Sequence, residues 1–294
     1  MMDDFDPRVT PFNGRVADIS LKGKVDAERF VEPVPYQLDW HHGAILTAPG
    51  GPRTRELLPG EVFLVLDMPE NTACGDAFGY AARDGYVGYI AARALQPAAK
   101  VTHMVVARES YRKATPDLKA HERTFRMSFG HRVNVTGVAG DWSEISLRPV
   151  MGDPDQTSTF FVPKAHLRPV DAPFPDPVTI AELFLHTPYL WGGNTAFGID
   201  CSGLIQAALL ACGTPCPGDS DQQEARVGTL LDPAEPLRRG DLIFWKGHVG
   251  MMRDAETLIH ANAHHMAVAS EPFGVATARI AASGGGPITS RRRI

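Results

Sequence analysis

Cysteine is scarce in this sequence: there are four, at Cys74, Cys201, Cys212 and Cys216, in 294 residues. Their spacing forms no paired CxxC set for zinc, and so few thiols make no disulfide framework. A reducing cytoplasm is the simplest compartment to expect. Strong charge of one sign is also missing. The net charge of −5 and the pI of about 6.1 give no reason to expect nucleic acid as a partner, and the closing "SRRRI" reads as a short solvated tail. No apolar run approaches the roughly 18 residues of a membrane span. The opening "MMDDFDPRVTPF" has neither the basic nor the apolar region of a secretory signal. There is no HExxH. Two His-His pairs occur, His41–His42 and His264–His265, but without a ligand set around them, so neither metal nor cofactor is expected.

What remains is ordinary globular composition, 44% hydrophobic and 21% charged, with length for two or three domains. Residues 31–98 and 99–170 are both rich in short alternating runs broken by Gly or Pro, which predict short strands and turns. The two blocks resemble each other. "LLPGEVFLVLD" at 57–67 corresponds to "MSFGHRVNVTG" at 127–137, and "GYVGYIAARALQP" at 85–97 corresponds to "STFFVPKAHLRP" at 158–169. In each, a glycine precedes an alternating strand and a later strand ends in Leu-x-Pro, at an offset of about 70 residues, which points to a duplicated β-domain. Residues 1–30 form an N-terminal extension with no evident role. The three prolines of "VDAPFPDPV" predict a linker over 171–178. From 179 to 294 the texture changes. "TIAELFLHTP" predicts a helix stopped by Pro188, and "GLIQAALLACG" an apolar helix capped by Gly213. "DLIFWK", "HVGMMRD", "TLIHAN" and "MAVASEP" then predict an antiparallel sheet. Helices followed by such a sheet make an α+β domain.

The chemistry gathers at "GNTAFGIDCSGLIQ", residues 193–206. Asp200 is a good N-cap, so Cys201 falls in the first turn of a helix. There the free N–H groups and the dipole favour a thiolate, although Asp200 opposes this and a histidine partner is required. Two histidines are suited to the task. His248 opens a strand, and His260 lies on the next. If those strands pair as a hairpin across "DAE", both imidazoles share one face. That predicts Cys201 as nucleophile, His248 as base and His260 as the residue orienting it.

Here the sequence resembles a known family. "PYLWGGNTAFGIDCSGLIQAAL", "RRGDLIFWKGHVGMM" and "TLIHAN" are similar, in order and spacing, to the NlpC/P60 signature. The two β-blocks resemble bacterial SH3 (SH3b) domains, through "DGYVGYI" in the first and Trp142 of "GDWSEI" in the second. The resemblance implies two all-β SH3b barrels followed by a papain-like α+β NlpC/P60 domain. It also implies a cysteine peptidase that cuts bacterial cell-wall peptides between γ-D-glutamate and a diamino acid. Carried over by residue, Cys201, His248 and His260 form the catalytic set. Tyr189 is a candidate oxyanion donor with the Cys201 N–H. Two SH3b domains ahead of the peptidase, with no secretory signal, resemble cytoplasmic murein-recycling enzymes that act on released peptides with a free N-terminal L-Ala. Such length selection needs a carboxylate for the substrate ammonium. Asp219 and Ser220 of "GDSDQQ", Ser202 beside the cysteine, Tyr86, and Glu61 in "PGEVFLV" are the candidate substrate contacts. Other readings remain open: a hydrolase of intact peptidoglycan, a papain-like acyltransferase, a non-catalytic wall-binding module, and more weakly a metal hydrolase.

Overall fold

The computed structural model describes residues 5–39, 43–147 and 158–294. The chain divides into two compact units, Met1–Asp171 and Ala172–Ile294. It is mostly β, with four short α-helices among the described residues.

The first unit begins with a parallel pair, β1 (Val16–Asp18) and β2 (Arg29–Val31). Val16 packs against Leu66 and Phe78. Asp18 accepts the Tyr80 hydroxyl at 2.9 Å, and Arg15 and Arg29 both pair with Asp67. Residues 5–31 therefore have a structural role that the sequence did not reveal: they cover one face of the sheet that follows. That sheet contains β3 (Val34–Leu38), β4 (Gly43–Leu46), β5 (Arg53–Leu57), β6 (Val62–Asp67), β7 (Asp76–Ala81), β8 (Val87–Ala91) and β9 (Leu95–Pro97). Its order is β5-β4-β8-β7-β6-β3-β9.

The second block repeats this plan. Its strands are β10 (His103–Val105), β11 (Glu109–Arg112), β12 (Phe125–Ser128), β13 (Arg132–Ala139), β14 (Trp142–Leu147), β15 (Ser158–Pro163) and β16 (Leu167–Pro169). Five of them run β15-β14-β13-β10-β16. The β11–β12 hairpin joins β15 through a bridge between Lys113 and Phe161. Taken in chain order, each strand of the second block occupies the place of its counterpart in the first.

The likeness extends to detail. Gly60 and Gly130 precede β6 and β13 with φ of +80° and +88°, a left-handed backbone in which glycine carries no Cβ penalty. A bulge falls between Val65 and Asp67 in one sheet and between Val135 and Gly137 in the other. A 3-10 turn (Ala92–Ala94, Lys164–His166) leads into each last strand. Leu38, Leu57, Phe63 and Ile90 fill one core, and Val105, Met127, Val133 and Val162 fill the other.

The second unit opens with α1 (Pro177–Leu183). Asp176 caps it by accepting the Val178 and Thr179 N–H groups, and Pro177 takes the first helical position, where its missing N–H costs nothing. The expected linker is thus shorter than 171–178, because its last proline starts a helix. The helix ends at Phe184, before Pro188. Next come the two-residue strands β17 (Asn194–Thr195) and β18 (Gly198–Ile199), then α2 (Cys201–Ala211) and α3 (Ser220–Arg226). The sheet strands are β19 (Thr229–Leu230), β20 (Leu242–Trp245), β21 (His248–Met252), β22 (Thr257–Asn262) and β23 (Ala267–Pro272), followed by α4 (Phe273–Ala282) and β24 (Ser290–Arg293). The order is β19-β24-β20-β21-β22-β23.

The basic terminus is therefore no solvated tail. It is an internal strand, with Arg293 paired to Asp241 and Glu235 and Arg292 Nε donating to the Val227 carbonyl. α2 is buried along almost its whole length and packs on β21 and β22. Its apolar surface runs all round because there is protein all round. Gln206, fully buried, is satisfied by Asn194 Nδ2 at 3.0 Å and the Cys216 carbonyl at 3.0 Å. Gly213 follows the helix with φ +76°, as its capping role requires.

Candidate active site

The mouth of α2 is built from backbone that tolerates very little side chain. Asp200 Oδ1 accepts the Gly203 N–H at 2.6 Å and the Ser202 hydroxyl at 3.2 Å. Its Oδ2 accepts the Gly192 N–H at 2.9 Å. A cap of this kind stabilises a helix by about 1 kcal/mol. Here it also turns the Asp200 charge toward three donors. A Cβ on Gly203 would stand 2.6 Å from the Gly193 carbonyl oxygen, and one on Gly193 would stand 2.5 Å from that of Gly198. Gly193 and Gly203 are close-approach residues that seat the β17–β18 hairpin on the first turn of α2.

Cys201 is the first residue of α2 and is buried. The segment before the hairpin runs beside β23: the His186 N–H donates to the Val268 carbonyl and the Tyr189 N–H to the Met266 carbonyl, both at 2.9 Å. Tyr189 also forms a parallel bridge with Ile199, which holds its backbone beside the residues leading into Cys201.

The expected hairpin forms. β21 and β22 pair with Met251 opposite Ile259 and Met252 opposite Leu258. In that register His248 and His260 share a face, and their ring centroids are 5.1 Å apart. His248 Nε2 and His260 Nδ1 are 2.8 Å apart. The row continues past what the sequence suggested. His260 Nε2 lies 2.8 Å from Glu271 Oε1 on β23, and Arg279 of α4 donates to that same oxygen. The signal for Glu271 was its strand parity. Ala269 lies opposite His260, so Glu271, two residues on, shares the histidine's face.

Burial sets the protonation states. It pushes the His248 imidazole down to about 3, with the nearby His260 and Arg279 adding to the effect. His260 is also lowered, again chiefly by burial, with Glu271 working the other way. Both rings are neutral at physiological pH in the resting site. An imidazolium at His248 requires an anion beside it.

The candidate substrate contacts divide. Ser202 is buried with its hydroxyl on Asp200 and its carbonyl accepting Gln223 Nε2 at 2.9 Å, so its present role is to hold the mouth of α2. Asp219 precedes Ser220, the first residue of α3, and is half-buried; its carboxylate does not cap that helix. Tyr86 is buried within the first unit, in the cluster containing Leu57, Phe63 and Ile90. It also lines a cavity of about 340 Å³ with Phe12, Phe78 and Tyr89. Glu61 differs most from expectation. Its Oε2 accepts the Leu58 N–H at 2.8 Å and Arg83 Nη1 at 2.5 Å, so the carboxylate expected to meet a substrate ammonium already holds an internal guanidinium. His41 and His42 lie outside the described residues. Among the described residues no group of three or more His, Cys, Asp or Glu is placed to hold a metal, and no helix is long and apolar enough to cross a membrane.

Comparison with known proteins converges on this site. Residues 186–279 match the family model described as "NlpC/P60 family", and residues 45–95 match the "Bacterial dipeptidyl-peptidase Sh3 domain". A gamma-D-glutamyl-L-lysine dipeptidyl-peptidase of Bacillus cereus is 37% identical over 102 residues, covering 31% of this chain and 30% of that protein. Its Bacillus subtilis namesake is 37% identical over 95 residues, covering 29% and 31%. The matches thus span about a third of the length of these curated relatives. The crystal structure of an NlpC/P60 family protein from Bacillus cereus covers 88% of this chain and 99% of its own, with a TM-score of 0.70 and 18% identity. At that identity the likeness is one of fold.

Proposed function

We propose that this chain, which carries an NlpC/P60 domain and a bacterial SH3 domain, is a cysteine peptidase. Its substrates are murein peptides with a free N-terminal L-Ala, and it cuts the bond between γ-D-glutamate and the diamino acid that follows. The observation that carries the reading is the placement of Cys201 at the mouth of a buried helix, against a strand pair that aligns His248 and His260. In this mechanism His248 takes the Cys201 proton as sulfur attacks the γ-glutamyl carbonyl carbon. First-turn N–H groups of α2 and the Tyr189 hydroxyl stabilise the oxyanion. His248 then gives its proton to the departing amine, leaving a thioester. Water, deprotonated by His248, hydrolyses that thioester.

The repeated strand order supports reading residues 99–170 as a second SH3b domain. The names of the relatives support a dipeptide-releasing specificity. Asp219 is assigned to the substrate ammonium, with Ser220 as a further contact. The setting we assign to this activity is recycling of released wall peptides in the cytoplasm, a reading in keeping with the few cysteines of the sequence.

Incubation with L-Ala-γ-D-Glu-diaminopimelate and with its lysine analogue, followed by mass analysis, is the direct test, and release of L-Ala-γ-D-Glu is expected. N-acetylating the L-Ala, or replacing Asp219 with Asn, removes one partner of a buried charge pair, worth about 3–5 kcal/mol. Each should lower kcat/KM about a hundredfold or more. Efficient digestion of purified sacculi would favour a hydrolase of intact wall, and transfer of the acyl group to an amine in preference to water would favour an acyltransferase.

A further inference from the structure

We infer that Glu271 is a positioning residue for Cys201, acting through His260 and His248 to fix which nitrogen of each ring carries its proton. The inference rests on the thiol site proposed above and adds a residue outside the expected catalytic set. Glu271 Oε1 receives Arg279 and lies 2.8 Å from His260 Nε2. An ionised carboxylate only accepts, so His260 carries its proton on Nε2 and leaves Nδ1 bare. Bare Nδ1 lies 2.8 Å from His248 Nε2, so His248 also carries its proton on Nε2. The lone pair at His248 Nδ1 is then the site that takes the thiol proton: the S–H bond of Cys201 breaks, an N–H bond forms at Nδ1, and the electron pair stays on sulfur. With the opposite tautomer at His260, its Nδ1–H would point at His248 Nε2 and force the proton of His248 onto Nδ1, where no base remains.

The electrostatics agree. Burial would raise the Glu271 carboxyl, yet its hydrogen bond to His260, the histidine's charge and Arg279 together hold it below the ordinary range. The groups facing it are His260 on β22, His265 in the turn after β22, 3.9 Å away, and Arg279 on α4. Arg279 lies close enough to disfavour a cation at both histidines. Glu271 offsets that charge, so its loss would leave Arg279 acting alone on the relay.

The test needs no peptide substrate, so its outcome is independent of the specificity proposed above. Long-range nitrogen–proton correlation spectra of the uniformly 15N-labelled full chain at pH 7 should show His248 and His260 both protonated at Nε2. A proton on Nδ1 of His260 would overturn the inference. Alkylation of Cys201 by iodoacetamide, followed from pH 5 to 9, supplies the second arm. Glu271→Leu should slow it about tenfold or more at pH 7, as expected when a base loses its orienting carboxylate, and should move the inflection of His248 to lower pH. Glu271→Gln keeps an acceptor oxygen but not the charge and should fall between. It carries the test if the Leu variant does not fold. Rates within twofold of wild type and an unshifted profile in folded Glu271→Gln and Glu271→Leu would reduce Glu271 to a structural residue. If alkylation responds as expected but no peptide is cut, the positioning role stands and the substrate assignment falls.

Discussion

Each unit buries a polar constellation around a glutamate, and the two end differently. In the first unit Glu61 and Arg83 lie together, each side chain 6% exposed. Arg83 also donates to the Glu56 carbonyl and stands near Asp84. Burial alone would favour a neutral guanidine; the Glu61 and Asp84 carboxylates more than reverse it. In the second unit Glu271 closes only one end of a row. The other end is a bare imidazole nitrogen on His248, on a strand packed against the helix that begins with Cys201. The first arrangement spends its polarity within itself and holds a fold. The second passes the direction of an N–H from ring to ring and leaves a lone pair for chemistry. Burial of charge is common to both, so burial does not mark the functional one; the open end does.

Substitution on each side should separate the two by the largest margin. His248→Ala should lower turnover about a thousandfold or more, since it removes the proposed general base, while thermal stability near pH 7 changes little. His260→Ala should cost less, because it orients a base and is not one. Arg83→Met should do the reverse. It leaves Glu61 buried without its cation, a loss of about 3–5 kcal/mol, readable as a fall in melting temperature, with the alkylation rate of Cys201 unchanged at temperatures where the variant is folded. A His248→Ala protein that retains turnover would remove the distinction, and so would an Arg83→Met protein as stable as wild type.

A pH titration of stability sharpens the contrast at smaller amplitude. His248 is neutral in the fold down to about 3, whereas an unfolded histidine protonates near 6.5. Below about pH 6.5 the unfolded chain binds a proton that the folded chain refuses. This histidine's contribution is therefore fully present above 6.5 and is lost as pH falls toward 3. The expected slope is about 1.4 kcal/mol per pH unit over that window. The urea midpoint of wild type should fall relative to that of His248→Asn on acidification from pH 7 to 4, and parallel curves would show that His248 is not buried neutral. Arg83 does not titrate anywhere in this range, so Arg83→Met should show no such pH-dependent difference from wild type.

The sequence carried the site better than it carried the site's supports. Asp200 as N-cap, Cys201 in the first turn, and the strands bearing His248 and His260 follow from local signals, namely a short acid before an apolar run and alternation broken by turns. The duplicated β-plan was visible because a glycine with positive φ recurs before the same strand. α4 was missed: "FGVATARIAA" has a glycine as its second residue and buries only Ala276 and Ile280, too weak a stripe to announce a helix. β24 was read as a solvated tail because a run of arginines normally is one. Its partners Asp241 and Glu235 lie more than fifty residues earlier in the chain. Glu271 was missed for a related reason, since its meaning depends on the β22–β23 register, which no local pattern specifies.

The smallest effect concerns how far the open end is already charged at rest. Cys74 is exposed, Cys212 is half-buried with its thiol pushed up by burial and by Asp176, and Cys201 and Cys216 are buried. By access alone iodoacetamide should find Cys74 first. The low value at His248 reflects burial, His260 and Arg279. In the proposed mechanism a Cys201 thiolate favours the imidazolium at His248, and the first-turn N–H groups of α2 favour the thiolate; to the extent that the pair is charged at rest, Cys201 exceeds at pH 6.5 the about 1% thiolate of an ordinary thiol. Cys201 should therefore be labelled ahead of Cys74 by a modest factor, about three to ten, despite its burial. The order should reverse at alkaline pH, about 9, where access takes over. Peptide mapping after brief alkylation at the two pH values reads the order directly. If Cys74 leads at both while the enzyme turns over, the thiol proton moves to His248 only as substrate is attacked, and the resting pair is neutral.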